Sequence, residues 1–373
     1  MKDASDGSAR PHAAGSSVAA AVLLDASPDW DRIAEVLTPG NHEWPVFRHR
    51  VVELPFGLDP PRRPGDPVSD PPWHLERVTL PAPASFGEAL AFARSAAEPT
   101  DLQNPGWEVT LLDGLDGGQS ALVIRLRHLG SALSKDQSDS MLSWAKSVSE
   151  QSADSFRTAA SVFTSLGTGL VRALLGRSDA GGDKPRHRIP RLHVLDADLD
   201  ALRRTCERAG CRVSSGVTAA MVLACTEYRR RHGRTLDAGL RVVVPGPDGG
   251  AIPGLSDHPA ELGAHGAVDL MQRIDMSFPS SDRGPSADSD LSIGPRDLVV
   301  STLPGSHTPL YVGGAKIERY YGFGTADGAM LTASAMSYRD TCCMGLTVDP
   351  TAVPHRESFD SCLQEAMRAV LGE

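Results

Sequence analysis

His128 is the residue whose type and position best suit it to move a proton. It sits in "VIRLRHLGSALSKDQ" (123–137), where the apolar run Val123-Ile124-Arg125-Leu126 reads as a strand ending in Arg127-His128. Gly130 and Ser131 follow at once, then an amphipathic stretch. A histidine where a strand meets a loop is a common general base, because imidazole exchanges its proton near neutral pH. Such a histidine is also a common structural residue. From the residue types alone both readings stand.

Other motifs are weaker. "DADLD" (196–200) imitates the start of a calcium loop, but Ala201 stands where the turn needs glycine, so Asp196 or Asp198 is expected to cap a helix instead. "GFGTADG" (322–328) has the wrong spacing for a phosphate cradle and reads as a strand-to-strand loop. Ser306 and His307 in "PGSHTP" are adjacent, which suits a turn better than a nucleophile–base pair. "RRRHGR" (229–234) reads as the basic end of a helix, where cations suit the helix dipole. There is no G-x-S-x-G elbow, H-E-x-x-H pair or Walker loop, which removes the α/β-hydrolase, zincin and P-loop readings. Cys206, Cys211, Cys225, Cys342, Cys343 and Cys362 show no CxxC spacing, so free thiols, no metal site and a reducing, cytoplasmic location are expected. Cys342 and Cys343 adjoin on a predicted strand and should face opposite ways.

The elements that must position these residues mix strands and helices. β-rich runs recur at "SVAAAVLLDA", "VFRHRVVEL", "HLERVTL", "WEVTLLDGL", "SALVIRLRH", "RLHVLDA", "LRVVVPG", "DLVVSTLPG", "PLYVGGAKIERYYG", "AMLTASAMSY" and "CCMGLTV". Helices are predicted at "DWDRIAEVL" behind an Asp cap, and at "SFGEALAFARSAA" with Ser85 and Glu88 as a capping box. "DLDALRRTCERAG" puts Leu199, Leu202 and Cys206 on one face and stops at Gly210. "ESFDSCLQEAMRAVL" does the same with Phe359, Leu363, Met367 and Val370. The interleaving predicts an α/β (α+β) fold. Residues 1–16 read as a disordered tail, 17–175 as one unit, 176–187 as a linker, and 188–373 as a second unit with a mobile loop at 279–296.

At 373 residues the chain is long enough for two cores. Lys plus Arg at 37 against Asp plus Glu at 47 gives a net charge of −10. That balance offers no basic stripe to nucleic acid and suits an anionic membrane surface poorly. No apolar run reaches transmembrane length, and the first residues lack the basic lead-in of a signal peptide.

Taken together, "PVFRHRVVELPFGL", "WHLERVTLPAPAS", "GWEVTLLDGLDGGQSALVIRLRH", "RVSSGVTAAMVLACTEYRR", "LVVSTLPG", "TPLYVGGAKIERYYGFG" and "SYRDTCCMGLTVDPTAVP" resemble, in order and spacing, the wax ester synthase/diacylglycerol acyltransferase family. That family lies within the chloramphenicol acetyltransferase-like group, which also holds the condensation domains of peptide synthetases. The resemblance implies two acyltransferase-like lobes, 17–175 and 188–373, with mixed sheets and an interlobe tunnel. It implies an acyl thioester donor, of CoA or a carrier protein, no permanently bound cofactor, and a small-molecule hydroxyl or amine acceptor. In the family motif HHxxxDG the second histidine takes the acceptor's proton; here it corresponds to His128.

The motif departs from the family pattern. Residues 127–133 read R-H-L-G-S-A-L, so Arg127 replaces the first histidine and Ala132-Leu133 the Asp-Gly pair. Ser214-Ser215 stand where the family has Asn-Asp, and Thr302 where it has the Asn of N-x-P-G-P. A cation at Arg127 close to His128 would keep the imidazole neutral but weaken it as a base. Leu133 adds bulk where substrate should pass. Ser131 is expected to help orient the loop, and Ser334 and Ser337 to line the opposite wall. Two readings follow: an acyltransferase with an altered motif, of use in specialised metabolism, or an inactive member that binds an acyl thioester, a small molecule or a protein partner. Hydrolysis or cyclisation in the same tunnel is a third.

Overall fold

The computed structural model describes residues 17–37, 75–95, 107–127, 189–233, 240–244, 250–255, 266–277, 294, 296–303, 305–324 and 328–373. The expected tail, the linker, the run "VFRHRVVEL" and nearly all of 279–296 lie outside them.

Two six-stranded mixed sheets carry the fold. The first contains β1 (Ser17–Leu24), β2 (Leu75–Ala84), β3 (Trp107–Leu115), β4 (Ser120–Arg127), β9 (Tyr311–Val312) and β10 (Ala315–Phe323), in the order β2-β3-β4-β1-β10-β9. The second contains β5 (Arg191–Asp198), β6 (Leu240–Val244), β7 (Gly250–Leu255), β8 (Asp297–Leu303), β11 (Leu331–Tyr338) and β12 (Thr341–Val348), in the order β5-β12-β11-β8-β6-β7. β9 and β10 come from the second half of the chain yet complete the first sheet. "PLYVGGAKIERYYG" thus folds as two strands that reverse at Gly313-Gly314, both at positive φ.

β1 lies between β4 and β10 and is antiparallel to both. Ala19, Ala20, Ala21 and Val22 are buried on both faces, which is why an unbroken apolar run forms a strand here. β2 and β3 pair in parallel through the crossover helix α2 (Phe86–Ser95), whose entry is fixed by Glu88 accepting the Ser85 N–H at 2.7 Å. β2 forms the sheet edge, and Pro81 and Pro83, lacking N–H groups, blunt it against further strand addition. The expected Asp cap on α1 (Trp30–Leu37) is present, with the Arg32 N–H donating to Asp29 Oδ1 at 3.2 Å.

Helices α3 (Leu199–Ala209), α4 (Val213–Arg231), α5 (Gly266–Ser277) and α6 (Arg356–Leu371) pack on one side of the second sheet. α4 is apolar nearly all round because it lies inside this layer. α6 buries Phe359, Leu363, Met367 and Val370, as its spacing predicts. Asp198 caps α3 through the Ala201 N–H at 2.6 Å, and Gly210 ends it at φ 67°. α5 and β7 have no counterpart in the sequence reading: "GAIPGL" carries Gly and Pro, and α5 exposes Val268 and Met276 while burying Leu270 and Ile274.

Alternation along β11 and β12 divides the molecule into two cores. Leu331, Ala333, Ala335 and Cys342 face the helices, while Met336, Tyr338 and Cys343 join the core of the first sheet. The expectation that Cys342 and Cys343 point oppositely is met. All six cysteines are free.

Candidate active site

β4 ends at Arg127. His128, Ser131 and Leu133 follow it directly and lie outside the described residues, as does the side chain of Arg127. What the structure defines is the platform that carries them. Trp107 pairs with Leu126 on one side, and Ser17 pairs with Arg127 on the other, so the last residue before His128 is still held in the ladder. Two residues earlier, Arg125 Nη1 bonds Glu108 Oε2 of β3 at 2.9 Å, and its guanidinium lies 5.5 Å from the Phe92 ring of α2. This ion pair is mostly buried, which makes it a firmer anchor than a surface pair.

Register carries the same end of the sheet towards the second lobe. Arg125, Ala19 and Phe323 lie in one row across β4, β1 and β10, a span of two strand spacings, about 10 Å. Just past Phe323, Gly324 abuts β11 so closely that a methyl group on it would lie 2.7 Å from Thr332 Cγ2. Thr332 and Ser334 share the face of β11 that looks towards the first sheet, while Ser337, three residues on, falls on the other face. Ser334 is buried, and its Oγ accepts from Ser301 Oγ at 3.3 Å. The Ser337 Oγ accepts the Gly305 N–H at 2.8 Å, and its carbonyl accepts the Tyr320 hydroxyl at 3.1 Å. The structure therefore places Ser334 two residues beyond Thr332, in the half of β11 that begins against Gly324, and engages Ser337 with the segment after β8.

The other departures from the family pattern also have defined surroundings. Ser215 Oγ donates to Asp275 Oδ1 at 2.6 Å, and the Arg212 N–H and Nε donate to the same atom at 2.9 and 3.0 Å, tying the start of α4 to α5. Burial raises the Asp275 carboxyl, but these hydrogen bonds outweigh it and hold the group below its ordinary value. Thr302 is exposed on β8. Ser306 bonds Thr308 rather than His307, consistent with a turn. "GFGTADG" joins β10 to β11, as expected.

Asp196 has a different role from the capping one considered for it. It faces the first sheet, and its two carboxylate oxygens accept the Tyr321 hydroxyl at 3.0 and 3.1 Å. Arg319 Nε reaches Oδ2 at 3.1 Å. Sequence reasoning misses this cluster because β10 is distant in sequence and belongs to the other sheet; the aromatic pair Tyr320-Tyr321 is the only local hint.

A family model described as the wax ester synthase/diacylglycerol acyltransferase catalytic domain matches residues 7–134, and one described as the WS/DGAT C-terminal domain matches 291–370. Together they account for more than half of the chain. The chain belongs to this family. The first match runs through the eroded motif at 127–133. A putative diacylglycerol O-acyltransferase of Mycobacterium tuberculosis is 23% identical over 95% of this chain and 88% of its own length. Another from the same organism is 37% identical over 112 residues, a stretch that spans 24% of that relative. Among solved structures, the wax ester synthase/diacylglycerol acyltransferase of Marinobacter aquaeolei is 21% identical with a TM-score of 0.66, covering 95% of this chain and 94% of that one. The first condensation domain of the CDA synthetase is 17% identical with a TM-score of 0.59, covering 97% and 92%. The two-sheet α/β architecture is thus the two-lobe fold expected from the resemblance. Among the described residues no single helix is long and apolar enough to cross a membrane, and no cluster of three or more His, Cys, Asp or Glu side chains is arranged to hold a metal.

Proposed function

We propose that this family member transfers an acyl group from a thioester, of CoA or a carrier protein, to the hydroxyl or amine of a small acceptor, with His128 as general base. The observation that carries the reading is the survival of the second motif histidine at position 128, directly after a strand held on both sides. In the proposed step the imidazole takes the acceptor proton as the oxygen or nitrogen attacks the thioester carbon. The C–S bond then breaks, and the departing thiolate recovers the proton from the imidazolium, giving ester or amide and a free thiol. Arg127, Ser131, Leu133 and Ser334 are proposed to line the substrate path, with Leu133 narrowing it, whereas Ser337, on the other face of β11, is not. The named relatives, called diacylglycerol O-acyltransferases, favour a hydroxyl acceptor. Six free cysteines suit a reducing compartment, and on that ground we place the protein in the cytoplasm.

Incubation with acyl-CoA and a panel of alcohols and amines should release free CoA. His128→Ala should cut that release by a factor on the order of 10²–10⁴ while leaving the circular dichroism spectrum intact. The erosion at Arg127, Ala132 and Leu133 favours a second reading, an inactive binding protein. Absence of turnover with every donor, together with saturable acyl-CoA binding that His128→Ala leaves unchanged, would select it.

A further inference from the structure

Two kinds of contact hold β10 against the second sheet, and they act in opposite directions. Gly322 crosses Gly345 of β12 at backbone contact, which limits how near the sheets come. Such a contact does not stop them parting. At the start of β10, the Tyr338 hydroxyl donates to the Ile317 carbonyl at 2.8 Å and Tyr320 reaches Ser337. At Tyr321, on the other face of the strand, the hold comes from Asp196 of β5.

Tyr321 is 3% exposed, with its ring 5.6 Å from that of Phe86 in α2. Without Asp196 its hydroxyl would be buried without an acceptor, a cost well above that of losing a surface ion pair. Arg319 reaches the same carboxylate from two residues away. Tyr321 pairs with Ala21, and Ala21 with Val123, so one row of the first sheet runs from the Asp196 contact to β4 four residues before Arg127. Stiff backbone ladders connect the contact to the strand that carries the catalytic position.

We infer that Asp196 is a positioning residue for acyl transfer: by holding Tyr321 and Arg319 it keeps β10, and through it the end of β4, at a fixed height above the second sheet. The inference rests on the acyl-transfer reading for its kinetic consequence and on geometry alone for its structural one.

The full-length protein is compared with Asp196→Ala, Tyr321→Phe and Asp196→Asn, the last keeping an oxygen acceptor for Tyr321. Thioester turnover and amide hydrogen exchange in 120–127 and 315–323 are read on each. Asp196→Ala and Tyr321→Phe should lower kcat by about tenfold at unchanged donor KM, since small misplacements of reacting groups cost rate rather than binding. Both should speed exchange in β10 and β4, and Asp196→Asn should return both readouts towards wild type. Wild-type kcat and wild-type exchange in Asp196→Ala overturn the proposal. If the wild-type protein turns over no thioester, the acyl-transfer reading fails separately, and exchange alone decides: faster exchange in β10 and β4 supports the positioning role, and unchanged exchange sinks it.

Discussion

Gly345 of β12 and Gly322 of β10 meet so closely that a methyl group on Gly345 would lie 2.2 Å from the Gly322 carbonyl oxygen. The obstructing atom is backbone of a strand bonded to β1, so it has no rotamer through which to yield. Here the strand completing the first sheet lies directly on the second, and only hydrogen atoms fit between them.

Gly345→Ala must therefore part the two sheets or distort β10. We expect a loss of at least ~1–3 kcal/mol in unfolding free energy, the usual cost of overpacking, measured by urea denaturation. Ala333→Gly, on the helix-facing side of β11, should leave the crossing itself undisturbed and serves as a control. A Gly345→Ala protein with wild-type stability would show that the crossing tolerates a side chain.

The ion cluster around Glu227 in α4, which Arg231 joins to α6, should weaken in acid. Glu227 accepts from Arg230 at 2.6 and 2.7 Å and from Arg231 at 2.7 Å, and Arg231 also pairs with Glu365 of α6. The hydrogen bond from Arg230 is the main reason that the Glu227 carboxyl is held at about 2, against an ordinary value of 4.5. A folded value below the unfolded one means that the unfolded chain binds the proton more readily. The contribution is complete above pH 4.5 and drains away as pH falls towards 2. Unfolding free energy should thus decline more steeply over this window in the wild type than in Glu227→Gln. Parallel curves would exclude Glu227 as a source of acid sensitivity.

The thiols should differ sharply in reactivity. Burial pushes Cys206, Cys342 and Cys343 up to about 12, and it also raises Cys362 and Cys211. Cys211 alone among the six is only partly buried. Alkylation by iodoacetamide at neutral pH, followed by peptide mass spectrometry, should label Cys211 first. The other five should react only after denaturant is added. Early labelling of Cys343 would mean that the joint between the sheets opens on the time scale of the reaction.

Much of the local structure was legible because short-range physics dictates it. The Asp29 and Asp198 caps, the Ser85–Glu88 box, the stop at Gly210 and the apolar stripe of α6 each depend on residues within one or two helical turns. So does the alternation that sends Cys342 and Cys343 into different cores. The motif around His128 and its departures were equally readable, since they are statements about order along the chain.

The sequence by itself determined most helices and strands, the two-lobe family fold and the identity of the residue proposed to move the proton. Only the tertiary structure decided that β9 and β10 cross to the first sheet, that Gly345 must be a glycine, and that Asp196 serves Tyr321 and Arg319 rather than a helix end. These facts depend on pairs such as Asp196 with Tyr321, 125 residues apart along the chain. No local propensity encodes such a pairing; it exists because β10, a strand of the first sheet, is buried against the second.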